Sequence, residues 1–299
     1  MHWLDRLSLR FIQREKVFEA GWGELTQFEA LGEALKTPHS APRLSLKWDP
    51  PKRERGLLVQ DGTAPSPSAL LADTLRVRRI FTPRPLRRRV VVPPSWGDGG
   101  YGARMWLVGA LVARGLEPWL LEGAYLGARK APMTKVEDFF RMGLCHIEEI
   151  RALLQTHQDD GVLTSVAGYS MAGQLGSQAV QSLPFDVPVV AMAASASPDV
   201  VFCDGPLSSQ VQWQVLGEGA RERLKDAMRR VSVLDLAPPR SARRAVVLNT
   251  GDGIVAPGST EKIARHWGVE PVRLATGHLG AYTLERRRLQ QVIAQTLLD

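Results

Sequence analysis

The sequence predicts one α/β domain built on a mostly parallel sheet. Three observations carry the prediction. From Arg88 onward, short apolar runs alternate with segments of helical period. One run leads through a turn of small residues, Gly168-Tyr169-Ser170-Met171-Ala172-Gly173, directly into a helix. Glycine-rich turns follow the runs before and after it, at Gly97-Asp98-Gly99-Gly100 and Gly251-Asp252-Gly253. Continuous apolar strands alternating with helices are buried on both faces, as crossover units require. With 299 residues, 44% hydrophobic and 23% charged, the chain can fill one large core, and nothing in it reads as fibrous or disordered.

Residues 1–20 carry Trp3, Leu4, Leu7, Phe11 and Ile12 roughly on one face, which predicts an amphipathic helix within a helical extension over residues 1–42. Residues 49–68 read as loop around the short apolar piece Leu57 to Val59, and the first third as a few antiparallel strands. Val90 to Val92 is a strand, 103–114 a helix, 118–121 a strand, 136–156 a long helix, 162–167 a strand and 171–182 a helix ending before Pro184. Strands at 187–193, 245–248 and 272–275 then alternate with helices at 260–267 and 280–298. Segment 199–243 is about twice as long as a crossover needs and is a candidate lid, with Trp213, Leu216 and a charged helix in it.

Charge narrows the partners. The net charge is +7, and residues 76–89 hold seven arginines. The stretch reads as a solvated strand edge that discourages edge pairing, although it is also compatible with an anionic membrane surface. No zinc-finger spacing, RNA-binding aromatic motif or helix-turn-helix supports nucleic acid. No apolar run approaches the roughly 20 residues of a membrane span, and the charged start lacks the apolar stretch of a secretory signal. With only Cys145 and Cys203, a disulfide framework is not expected, which fits a cytoplasmic protein.

The chemistry centres on Ser170. A strand-to-helix turn this tight exposes its hydroxyl at the sheet edge and demands small neighbours two residues away, here Gly168 and Ala172. The helix behind it supplies a free N–H at Met171 and positive partial charge. Of six histidines, only His278 follows a late strand in a glycine-flanked turn, whereas His146 and His266 fall in helices. Asp252 follows the preceding strand, giving the chain order Ser, Asp, His of the α/β-hydrolase fold. Asp199 and Asp204, after the strand before that, compete for the acid role. Trp96, or Gly97 beside it, is the candidate for a second oxyanion donor on the loop after Val92.

These residues bring a family into view. The chain resembles the α/β-hydrolase group that includes α/β-hydrolase domain-containing protein eighteen. The likeness runs through Gly21-Trp22-Gly23, the Gly97-Asp98 turn, Leu120-Leu121-Glu122, Tyr125-Leu126-Gly127-Ala128-Arg129-Lys130, the serine turn, Val201-Phe202, Leu207-Ser208, Asp252 to Pro257, and Gly277 to Tyr282. It departs at Ala172 and Gln174 and in a shorter insertion before the Asp252 strand. The resemblance implies a hydrolase using Ser170, Asp252 and His278. Together the readings predict a single α/β-hydrolase domain over residues 1–299: a serine esterase or lipid acyl hydrolase that needs no metal or organic cofactor. Its substrate would be a small-molecule or lipid ester with an apolar acyl group near Trp96, Met171, Trp213 and Leu279. The alternatives are a peptidase or amidase of the same fold and a catalytically inactive binding or scaffold protein.

Overall fold

The computed structural model describes residues 3–6, 16–84 and 86–298. Strands β1 (Lys47–Trp48), β2 (Lys52–Glu54), β3 (Leu57–Pro65), β4 (Thr74–Phe81), β5 (Arg88–Val92), β6 (Glu117–Glu122), β7 (Leu163–Tyr169), β8 (Val189–Met192), β9 (Arg244–Asn249) and β10 (Val272–Leu274) form one sheet. Its order is β1-β3-β4-β6-β5-β7-β8-β9-β10, with β2 also on β3. From β6 to β10 the pairings are parallel, whereas β1 to β4 are antiparallel, and β4 meets β6 antiparallel.

Both faces of the sheet are covered. Val90, Val92 and Leu120 point into a core shared with helices α2 (Gly102–Val108) and α10 (Arg286–Leu298). Val91, Trp119 and Leu121, one residue out of phase, point into a larger core. Helices α1 (Thr26–Leu35), α3 (Val136–Asp159) and α4 (Met171–Gln181) build that second side. After β8 come the short helices α5 (Asp199–Phe202), α6 (Trp213–Leu216) and α7 (Ala220–Arg229). Helix α8 (Pro257–Trp267) adds the fully buried Trp267, a side chain worth about 2–3 kcal/mol of burial.

The chain goes from β5 out to β6 and returns to β7 on the other side of β5. That reversal opens a crevice at the carboxyl ends of β5 and β7, where ligands bind in open α/β sheets. The loop carrying Trp96 leaves β5, and Ser170 follows β7.

The early part departs from the sequence reading. The helix expected through Ala20 gives way to extended backbone, because Val17 bridges Val211 and its N–H bonds to Gln210. Phe18 then buries completely with a φ of 67°. The expected apolar face at Leu7, Phe11 and Ile12 lies outside the described residues. Residues 49–68, read as loop around Leu57 to Val59, contain β2 and the whole of the nine-residue β3. The strand hides in the sequence because Asp61 and Gly62 interrupt its apolar alternation. In the fold the Asp61 carboxylate pairs with Arg78 at 2.6 Å, and a Cβ on Gly62 would fall 2.7 Å from the Trp48 ring.

The arginine-rich stretch is not a solvated edge. β4 lies between β3 and β6, and β5 between β6 and β7. Arg78 is buried and reaches Asp61 and Glu54, Arg79 stacks on Trp48 and Phe81, and Arg89 stacks on Trp119. Local carboxylates and rings absorb the charge of these three, whereas Arg76, Arg84 and Arg87 stay exposed. The Tyr125-to-Lys130 turn is a structural pin of the same kind. Arg129, almost wholly buried, binds Glu149 at 2.7 Å and Asp73 at 2.8 Å and donates to the Glu122 carbonyl. Gly127 takes a φ of 58° where a side chain would meet Glu122. No described helix is long and apolar enough to cross a membrane.

Candidate active site

Ser170 occupies the turn between β7 and α4 with φ 58° and ψ −127°, a conformation only glycine adopts at ease. The surroundings enforce it. The Ser170 N–H continues the ladder onto the Met192 carbonyl at 2.8 Å, and its carbonyl accepts from Gly173 at 2.9 Å. A Cβ on Gly168 would lie 2.2 Å from the Ala172 carbonyl oxygen, so the close passage of strand and helix admits no side chain there. Ser170 and Met171 stay partly exposed between buried Tyr169 and Ala172. Met171 is the first residue of α4, so its N–H has no acceptor within the helix.

His278 begins α9 (His278–Thr283) on the loop after β10. Its Nδ1 lies 2.8 Å from Asp252 Oδ2, and both side chains are almost entirely buried, 7% and 2% exposed. The other Asp252 oxygen accepts the N–H groups of Ile254 at 2.9 Å and Val255 at 2.8 Å. The carboxylate is thereby fixed by its own loop. The rival acids lie elsewhere. Asp199 accepts from Ser197 and pairs with Arg229 at 3.1 Å, and Asp204 pairs with Lys225 at 2.6 Å. The fold therefore brings Ser170, His278 and Asp252 to one sheet end and ties both rivals to cations of the segment that follows β8.

Ser170 and His278 line a cavity of about 360 Å³. Its walls are predominantly apolar. Phe139, Phe140 and Ile147 come from α3, Met171 and Leu175 from α4, and Val201, Phe202, Leu207 and Val231 from the candidate lid over residues 199–243. Trp96 packs on Phe202 at 4.9 Å and Phe139 at 6.2 Å between ring centres. Trp213, expected near the serine, is not among the lining residues. Its indole donates to the Ser208 carbonyl and its ring carries Arg221. Among the described residues, no cluster of three His, Cys, Asp or Glu could hold a metal ion.

Several supporting residues escaped the sequence reading. The Tyr169 hydroxyl donates to the His278 carbonyl at 2.5 Å and accepts from Asn249 at 2.9 Å, and its ring lies 5.1 Å from the imidazole. Burial pushes that phenol well above its ordinary value, which keeps it a donor. Buried Arg104 donates to Asp98 and to the carbonyls of Val92 and Leu121, fastening the Trp96 loop to the ends of β5 and β6. The buried Asp5 carboxylate meets the backbone of the acid and histidine loops. Tyr169 lies within the serine turn and Asn249 just before the Gly251–Gly253 turn, but nothing in the sequence around Arg104 or Asp5 marks them.

A sheet switching from antiparallel to parallel, with a strained serine after β7 and a histidine–carboxylate pair after β9 and β10, defines an α/β hydrolase. The chain matches the family model "Alpha/beta hydrolase domain containing 18" over residues 15–238 and belongs to that family. The matched region holds Ser170 and stops before Asp252 and His278. Among solved structures, the acetyl xylan esterase of Paenibacillus sp. R4 is similar, with a TM-score of 0.64 at 12% identity, covering 96% of this chain and 99% of that one. Acetyl xylan esterase 1 from Thermoanaerobacterium sp. JW/SL YS485 gives 0.59 at 13%, covering 95% and 98%. A cold-adapted esterase from an Arctic intertidal metagenomic library gives 0.58 at 14%, covering 84% and 99%. Curated protein sequences give no significant match.

Proposed function

We propose that this protein is a serine hydrolase that cleaves carboxylic esters, lipid esters included, with an apolar acyl group. The observation that carries the reading is the 2.8 Å bond between Asp252 and His278 on the wall of the cavity that holds the strained, half-exposed Ser170. Ser170 attacks the ester carbonyl while His278 takes its proton. Asp252 holds the imidazole tautomer that leaves Nε2 free to act as base. The N–H of Met171 and one from the Trp96–Gly97 turn face the developing oxyanion. His278 returns the proton to the leaving alcohol, and water then releases the acyl group by the same steps in reverse roles. The apolar walls favour an acyl chain over a charged substrate.

The test is a fluorophosphonate probe with peptide mapping, run beside a panel of p-nitrophenyl esters of increasing chain length. We expect one adduct, on Ser170, with turnover of apolar esters abolished in Ser170→Ala. No adduct on the folded protein, or an adduct elsewhere, would sink the nucleophile assignment. Turnover of short charged esters alone would reject the apolar substrate class.

A further inference from the structure

We propose that Asp5 is a positioning residue of this active site: its carboxylate clamps the acid loop and the histidine loop into one register. The inference rests on the Ser170–His278–Asp252 reading and adds to it a group far away in sequence. Asp5 is completely buried. Its Oδ2 accepts the N–H of Gly253 at 2.9 Å and that of His278 at 2.8 Å, and its Oδ1 accepts the N–H of Leu279 at 2.9 Å. Gly253 is the residue after Asp252, so one oxygen atom holds the backbone beside both members of the acid–histidine pair.

The acid loop leaves β9 and the histidine loop leaves β10, and the Gly251 N–H joins them at their base through the Thr276 carbonyl at 3.0 Å. Asp5 carries that tie on to Gly253, His278 and Leu279. The residue before α9 is Gly277, which has no side chain to cap that six-residue helix. Asp5 supplies the missing acceptor from a distant part of the chain. With Tyr169 donating to the His278 carbonyl, the backbone of His278 is held on both sides. A cap that served folding alone would lower stability and leave turnover untouched. A clamp on the pair lowers kcat, because a misplacement of about 1 Å costs roughly 100-fold, and changes KM little, because most of the apolar cavity wall comes from α3, α4 and residues 199–243.

The full-length wild type, Asp5→Gly and Asp5→Asn are compared on a p-nitrophenyl ester, with melting temperature alongside. Asp5→Gly opens a hole the size of a carboxylate. We expect kcat to fall about 10- to 100-fold with KM within about twofold, and formate, but not chloride at equal ionic strength, to restore it several-fold. Asp5→Asn keeps the volume but turns an amide donor toward N–H donors, so it should lose kcat without rescue, and it serves where Asp5→Gly does not fold. A folded variant with wild-type kcat, or a loss that formate leaves unchanged in Asp5→Gly, overturns the clamp. A second readout needs no substrate: the His278 Nδ1–H resonance at low field in the proton NMR spectrum should vanish in Asp5→Gly and return with formate. A wild type that hydrolyses no ester would count against the hydrolase reading, and the NMR signal would still decide the clamp.

Discussion

Carboxylates of this protein are held in two different ways, and the difference follows the sheet. In the half around β3, β4 and β6, arginines hold them: Arg78 on Asp61, Arg129 on Glu149 and Asp73. At the end where β7, β9 and β10 deliver their loops, backbone N–H groups hold them: Ile254 and Val255 on Asp252, and Gly253, His278 and Leu279 on Asp5. A guanidinium spends a carboxylate's charge on an ion pair. Backbone dipoles fix the carboxylate in place without an ion pair, and they leave Asp252 to face the His278 imidazole. The first arrangement fastens strands together, and the second can serve chemistry.

The sharpest way to break this comparison is to exchange roles. Asp252→Asn should lower ester turnover by about 10⁴ with the circular dichroism spectrum unchanged, whereas Asp199→Asn and Asp204→Asn should cost less than about tenfold. If Asp204→Asn proves the crippling change, a carboxylate paired with lysine carries the acid role and the distinction collapses.

The arginine-held half should fail in stability instead. Arg129→Met strands Glu149, whose carboxyl burial already pushes above its ordinary value, and should cost about 3–5 kcal/mol in urea unfolding. Adding Glu149→Leu should recover most of that loss, and the Ser170 adduct should form in every folded variant. Failure of the double change to recover would mean that the pair does more than neutralise itself.

A smaller effect separates the histidines. His146 is pushed down to about 3 by burial, with the charge of Arg129 adding to it, and burial likewise pushes His157 well down. Below the unfolded value of about 6.5 the unfolded chain takes up protons that the folded chain refuses, so stability falls as the pH drops toward 3. The slope is about 1.4 kcal/mol per pH unit for each histidine. Glu148 and Glu149, pushed up by burial, act in the opposite direction. The histidine share is therefore read from His146→Gln and His157→Gln, which should each flatten the slope between about pH 6.5 and 5 in urea titrations. An unchanged slope would show that neither ring resists protonation in the fold.

Legibility in the sequence follows the same division. From β5 onward, strands buried on both faces announce themselves as apolar runs, and the expected elements lie close to the observed ones. One exception is the last helix, which divides at Leu284–Glu285 into α9 and α10. The serine turn was legible because its requirements are local: a strand, small residues and a helix within a few positions. β3 was not, because Asp61 in a strand makes sense only beside Arg78. The arginines looked solvated for the same reason, since a sequence displays charges without their partners. Asp5 lies 273 positions from His278, and only the fold brings them together.

The backbone at Ser170 also bears on how this protein could change under selection for heat resistance. Its φ of 58° and ψ of −127° cost a non-glycine residue about 1–3 kcal/mol, a penalty glycine escapes. Ser170→Gly should therefore melt at a higher temperature than the wild type. Under the proposed mechanism, selection for survival at high temperature alone would favour the loss of the attacking hydroxyl.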